Sequence, residues 1–127
     1  GTTCSTALKL ASSMFENRFN PLKWNIYLFY FTDGENWDGD NEVFCNCLKK
    51  EFPPDVVNMV GITQILAWNY DGSLKKYVDE NSKSDNIRTT GISFNNVGHP
   101  DEQERDKAIR SSIIDLLGES QVYHRGD

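Results

Sequence analysis

The sequence predicts an α/β domain: a parallel sheet of three or more strands with helices on both faces. Two observations lead there. The run Trp24 to Thr32 (WNIYLFYFT) is rich in β-branched and aromatic residues and shows no polar alternation after Asn25, the pattern of a strand covered on both faces and hence of a parallel sheet. Around it, apolar runs of strand length alternate with segments whose apolar residues recur every third or fourth position, as strand–helix–strand units require.

A first helix is expected from Ser5 to about Phe19, with Leu8, Ala11, Met14, Phe15 and Phe19 on one side and Asn20-Pro21 ending it. The strand Trp24 to Thr32 then runs into a polar loop, Asp33 to Asn41. A helix of roughly ten residues starts at Asn41 and stops before Pro53-Pro54. A second strand lies within Val56 to Trp68, Asn69-Tyr70-Asp71-Gly72 is a turn, and Ser73 is placed to N-cap a short helix through Tyr77 and Val78. Ile87 to Phe94 is the third strand, and its Arg-Thr-Thr-Gly composition suits a sheet edge. The last helix follows Pro100. Asp101 and Glu102 sit at the positive end of its dipole, and Ala108, Ile109, Ile113, Leu116 and Leu117 form an apolar stripe that stops at Gly118. A helix followed by three strand–helix units reads as half of a doubly wound fold, where ligands bind beyond the carboxyl ends of the strands. Asp33, one residue past the first strand, occupies that position.

With 127 residues the chain can bury one core but not two. It is read as a single domain or a piece of one, ordered over 1–120 with 121–127 as a flexible tail. A hydrophobic fraction of 38% with 12% aromatics sets it apart from disordered chains. The net charge is -6 and no basic cluster is denser than Lys49-Lys50 or Lys75-Lys76, which argues against nucleic acid as a partner. The longest apolar run, Ile26 to Thr32, is too short to span a membrane, and the opening residues lack the pattern of a secretory signal, so a cytoplasmic protein is expected. Cys4, Cys45 and Cys47 cannot all pair, and no second cysteine pair completes a zinc site with the isolated His99 and His124; reduced structural thiols are expected.

The loop after the first strand carries the candidate chemistry. Asp33, Glu35, Asp38, Asp40 and Glu42 crowd carboxylates together, and these are either solvated or bridged by a hard cation such as Mg2+, Mn2+ or Ca2+. An EF-hand is excluded, because the sixth position counted from Asp33 is Asp38 where that loop needs glycine. Trp37 is either a partner anchor or a side chain folded back onto the following helix.

Two stretches carry a resemblance. Gly1-Thr2-Thr3-Cys4-Ser5-Thr6-Ala7-Leu8 resembles the Gly-Thr-x-x-x-x-Ala-Leu opening of the helix that bears the metal-site threonine in von Willebrand factor A domains, with Thr2 as the matching residue. Phe31-Thr32-Asp33-Gly34 is similar to the strand end that supplies the same site's later aspartate, here Asp33. Within that superfamily, Trp24-Asn25-Ile26-Tyr27 and Phe29 through Trp37, with Asp40-Asn41 after them, look most like the bacterial YhbH/YeaH family. The chain departs from the pattern in having no Asp-x-Ser-x-Ser loop after an earlier strand. The resemblance therefore implies the C-terminal half of a Rossmann-like von Willebrand A fold, either as a piece of a longer protein or as a domain that has lost the site and uses the surface differently. It also implies that the strand edge beside Trp24 to Thr32 is bare, so that the chain dimerises through that edge or through an exchanged helix.

The function implied is a non-catalytic protein-binding module with a partial divalent-cation site, Mg2+ first and Mn2+ or Ca2+ as alternatives. Thr2 and Asp33 are its ligands, and Glu35, Asn36, Trp37, Asp38 and Asp40 are further binding candidates. Thr2 has a second reading as a helix cap, and Asp33 as an acceptor for turn amides. The family's implied partners are a PrkA-type serine kinase and a SpoVR-like protein, in stress or sporulation signalling. Two other classes stay open: an enzyme using Asp33 for metal-dependent phosphoryl transfer or hydrolysis, and a metal-free scaffold. Against the enzyme, the Asp-x-Asp pattern reads Asp33-Gly34-Glu35 and no P-loop occurs.

Overall fold

The computed structural model describes residues 3–36, 38–66, 72–93 and 101–118. Along them run α1 (Cys4–Asn17), β1 (Tyr27–Thr32), α2 (Asp38–Glu51), β2 (Met59–Leu66), α3 (Leu74–Asn81), β3 (Ile87–Ser93) and α4 (Glu102–Gly118). The strands form one parallel sheet in the order β1-β2-β3. The expected α/β architecture and element order are both present, with β3 at an edge as its composition suggested. The expected turn at 69–71, the segment around His99 and Pro100, and the tail 121–127 lie outside the described residues.

Register divides the side chains between two faces. Tyr30 pairs with Ile62 and Val60 with Ile87, while Phe29 pairs with Gly61 and Gly61 with Arg88. Successive residues alternate across a strand, so Leu28, Tyr30, Val60, Ile62 and Ile87 point to one side and Tyr27, Phe29, Phe31, Met59 and Gly61 to the other. The first side meets Cys4 and Leu8 of α1, Phe44, Cys45, Cys47 and Leu48 of α2, and Leu74 and Val78 of α3. Phe44, Phe52, Leu8 and Leu48 are almost fully enclosed there, each contributing about 1.5–3 kcal/mol. On the opposite side α4 lays Leu116 against Met59 and Phe29, and Thr90 and Arg88 hold it through Asp115 Oδ2 and the Leu116 carbonyl.

Coverage of that second side differs from expectation. Tyr27 and Phe31 remain 40% and 36% exposed, and Ile109 and Leu117 of the α4 stripe are exposed as well. The helix sits over β2 and β3 and leaves the β1 side open. The first strand is also shorter than its composition suggested. Lys23 and Trp24 donate their amides to the Asn20 carbonyl in a turn, and Asn58 takes both polar groups of Ile26, its side chain accepting from the Ile26 amide at 2.9 Å and its own amide donating to the Ile26 carbonyl at 2.8 Å. The ladder therefore begins only at Tyr27. Conversely α2 starts at Asp38, three residues before the expected Asn41. The acidic residues that made 38–40 look like loop suit the positive end of a helix dipole.

Candidate functional site

Beyond the carboxyl ends of β1 and β2, loops and helix starts are tied into one polar frame. The amino end of α1 lies against the segment after β1. Thr3 is its N-cap by backbone conformation but makes no capping hydrogen bond with its side chain. The first amides are satisfied across the fold instead: Cys4 N donates to Asn36 Oδ1 and Ser5 N to Asp40 Oδ2, each at 2.9 Å, and the Ser5 hydroxyl donates to Asp40 Oδ1. A carboxylate at exposed first-turn amides answers both the unpaired donors and the helix dipole.

The frame continues through amides. Asn36 donates to Asn41 Oδ1 at 2.8 Å, and Asn41 donates to the Ser73 hydroxyl at 3.2 Å. Ser73 stands at the N-cap of α3 as expected, yet in helical backbone geometry and without a side-chain cap; its hydroxyl serves Asn41. Buried Gln64, at the end of β2, donates to the Gly72 carbonyl at 3.0 Å and accepts from Lys75 N at 2.9 Å. Gly34 has φ +82, and a Cβ on Gly72 would lie 2.4 Å from the Gly34 carbonyl carbon. The two loops thus touch backbone to backbone, which only glycine permits.

The candidate residues separate into two groups within this frame. Asp40 is buried, and its carboxyl stays below the usual range: burial acts upward, but the Ser5 hydroxyl and amide, the Asn36 side chain and the charge of Lys9 together outweigh it. Asn36 and Asp40 hold the frame together. Asp33 is exposed one residue past β1, where its Oδ1 accepts from Glu35 N at 2.9 Å, and Thr32 Oγ1 accepts from Gly34 N at 3.0 Å. The turn-amide reading of Asp33 is thus present, and it leaves the carboxylate facing solvent. Glu35 is exposed too, its carbonyl accepting from the Cys4 thiol at 3.7 Å. Asp38 opens α2. Thr2 and Trp37 lie outside the described residues.

Behind Asp33, the Tyr30 phenol is held far above its usual pKa by burial first, then by Cys4 and the charges of Asp40 and Asp33. It stays neutral. All three cysteines are buried and free, and burial raises the thiols of Cys45 and Cys47, in keeping with structural rather than reactive roles. Among the described residues no group of three or more His, Cys, Asp or Glu is placed to hold a metal ion. Asp33 offers one hard oxygen donor, and both Asp40 oxygens already accept from Ser5 inside the fold. No described helix is long and apolar enough to cross a membrane.

Ser5, Asn41, Gln64 and Ser73 were not foreseen as members of this frame. Gln64 had a signal, being with Asn58 one of two amides inside the apolar run read as the second strand. Ser5 and Asn41 had none, because their partners come from other elements.

Comparison with known proteins agrees with the resemblance to the YhbH/YeaH proteins at the level of family. The profile of a family described as protein of unknown function (DUF444) matches residues 1–96. A UPF0229 protein of Yersinia pestis (strain Pestoides F) is 35% identical over 87 residues, covering 68% of this chain and 20% of that protein. A UPF0229 protein of Yersinia pseudotuberculosis (serotype O:3, strain YPIII) matches with the same identity and coverage. The chain thus spans about a fifth of the length of these curated relatives. No solved structure matches. The α/β frame with Asp33 at its strand end belongs to a member of the DUF444 family of proteins of unknown function.

Proposed function

We propose that this chain is the C-terminal half of a von Willebrand A-like, non-catalytic protein-binding module and carries part of its divalent-cation site. In this reading Asp33, with Thr2, contributes oxygen ligands to a divalent cation, Mg2+ before Mn2+ or Ca2+, through which a carboxylate of a partner protein is captured. Glu35, Asn36, Trp37, Asp38 and Asp40 form or support the surrounding surface. The observation that carries the reading is the contrast between two nearby aspartates. Asp40 is buried and hydrogen-bonded at the start of α1, while Asp33 stands exposed at the carboxyl end of a parallel strand, where ligands of such sheets bind.

Further support comes from the position of α1, whose amino end is bonded directly to the β1–α2 segment through Asn36 and Asp40. The amino end of α1 and Asp33 after β1 therefore belong to the same end of the fold. The proposed whole-protein setting is cytoplasmic, with a PrkA-type kinase and a SpoVR-like protein as partners in stress or sporulation signalling. Calorimetric titration with Mg2+, Mn2+ and Ca2+ tests the site on the parent chain and on Asp33→Ala. Saturable binding that Asp33→Ala abolishes is expected. Absence of binding, or equal binding by both chains, overturns the cation site.

A further inference from the structure

A cleft of about 640 Å3 runs between α2 and α3 toward the end of the sheet opposite Asp33, a volume within the range of small-molecule sites. Its walls come from one face of α2, the carboxyl end of α3, and the two connections that lead into β2 and β3. No lining residue belongs to α1 or β1, and all lie within the residues 1–96 that match the family. The cleft therefore does not depend on what borders the β1 edge. Its two connections are bonded to each other through fully buried Asn86. That side chain donates to the Phe52 and Val57 carbonyls at 3.0 and 3.2 Å and accepts from the Ser84 hydroxyl at 2.6 Å. The shape is thus fixed by the fold.

Two kinds of surface meet in the cleft. Pro53, Pro54, Tyr77 and Ile87 are half-buried and form an apolar wall that includes one aromatic ring. Lys49 and Lys83 are exposed at the rim. Because α2 and α3 each follow a strand of one parallel sheet, they run in the same direction. Lys49 in the last turn of α2 and Lys83 just beyond α3 therefore stand at the same end. Glu42, the one carboxylate among the described lining residues, lies seven residues before Lys49, about 10 Å away along the helix.

Neither lysine has another task in view. Among the described residues neither forms an ion pair. Carbonyls near both helix ends that a lysine could serve are already bonded: Leu48 to the Phe52 amide, Phe52 to Asn86, Tyr77 to Asn81 and Val78 to the Ser82 amide. In a chain of net charge -6, two such cations beside an apolar wall are a local exception.

We propose that this cleft binds a small aromatic anion, its ring against Tyr77 and the two prolines and its phosphate or carboxylate held between Lys49 and Lys83. An apolar body with one anionic head matches the two surfaces in kind, as small-molecule sites pair apolar walls with a few placed polar groups. Lysine acts on either head as a point charge and does not demand a bidentate geometry. Asn46 and Ser82, which also line the cleft, add neutral donors. The site is separate from the Asp33 end of the sheet and needs no cation there.

Amide chemical shifts of the isotope-labelled chain, titrated with phenyl phosphate and with benzoate, test the proposal. Saturable shifts centred on Asn46, Lys49 and Ser82 to Ser84 are expected for at least one probe, and the tighter of the two tells which head the site takes. Inorganic phosphate and benzyl alcohol each carry half of the chemistry and should bind weaker by about tenfold or more. Lys49→Ala with Lys83→Ala should weaken the better probe by about tenfold or more, with the thermal midpoint unchanged because both side chains are exposed. Shifts that do not saturate for either probe, or that centre elsewhere, overturn the proposal. So does inorganic phosphate or benzyl alcohol binding as tightly as the better probe, or a double variant that binds as the parent does.

Discussion

The two faces of the sheet are packed to different depths. Three helices close one face over Leu8, Phe44, Leu48 and Val78, whereas on the other α4, alone among the described elements, buries chiefly Leu116 against Met59 and Phe29. Between them, at the carboxyl end of the strands, a third kind of region relies on hydrogen bonds and glycine contacts instead of apolar burial. Stability is therefore concentrated in the closed face and the polar frame, and the open face contributes least. An exposed carboxylate such as Asp33 can be positioned accurately only because the residues around it are fixed this way.

The largest effect is expected where backbone meets backbone. Gly34→Ala combines a left-handed φ of +82 with a Cβ 2.4 Å from Gln64 Oε1. A loss of about 3 kcal/mol or more is expected by urea denaturation, and a change under 1 kcal/mol would show that the loop gives way easily. Next come the two faces themselves. Leu48→Ala on the closed face should cost about 3–4 kcal/mol, and Leu116→Ala on the open face about 2 kcal/mol, since relaxation is easier beside an uncovered surface. Hydrogen exchange should show α4 opening first in Leu116→Ala. Equal costs would erase the distinction between the faces.

Asp40→Ala leaves the Ser5 hydroxyl and amide without their acceptor, at an expected cost of about 2 kcal/mol. Its pH signature has a definite sign. The folded-state pKa is depressed, so the ionised form is the one that folding favours. The contribution is present above the unfolded value of about 3.9 and is lost as pH falls through the folded value. Urea midpoints of the parent chain should decline in acid below that value, and Asp40→Asn should flatten the decline. The smallest effect belongs to Asp33→Ala, within about 0.5 kcal/mol of the parent, as for exposed surface substitutions.

Much of the fold was legible because periodicity is a local property. Each helix and strand was found, with boundary errors at the two places where a distant side chain or a dipole decides the outcome: Asn58 delays β1 to Tyr27, and the acidic start of α2 extends it back to Asp38. The open β1 side was not legible from composition, since WNIYLFYFT reads the same whether Tyr27 and Phe31 are covered or not. Within the candidate site, the sequence offered Asp33, Asn36 and Asp40 together, in one loop after the first strand. It could not separate their roles, because the hydrogen bonds that bury Asp40 come from Ser5, thirty-five residues earlier in the chain.

That separation of roles is the central claim, and thermal unfolding of the parent chain, Asp33→Ala and Asp40→Ala, each with and without Mg2+, tests it most directly. Mg2+ should raise the parent midpoint. Asp33→Ala should start from the parent midpoint without cation and not respond to Mg2+, while Asp40→Ala should start clearly lower. If Asp33→Ala is destabilised as much as Asp40→Ala, or responds to Mg2+ as the parent does, the exposed aspartate is not the ligand-binding member of the pair.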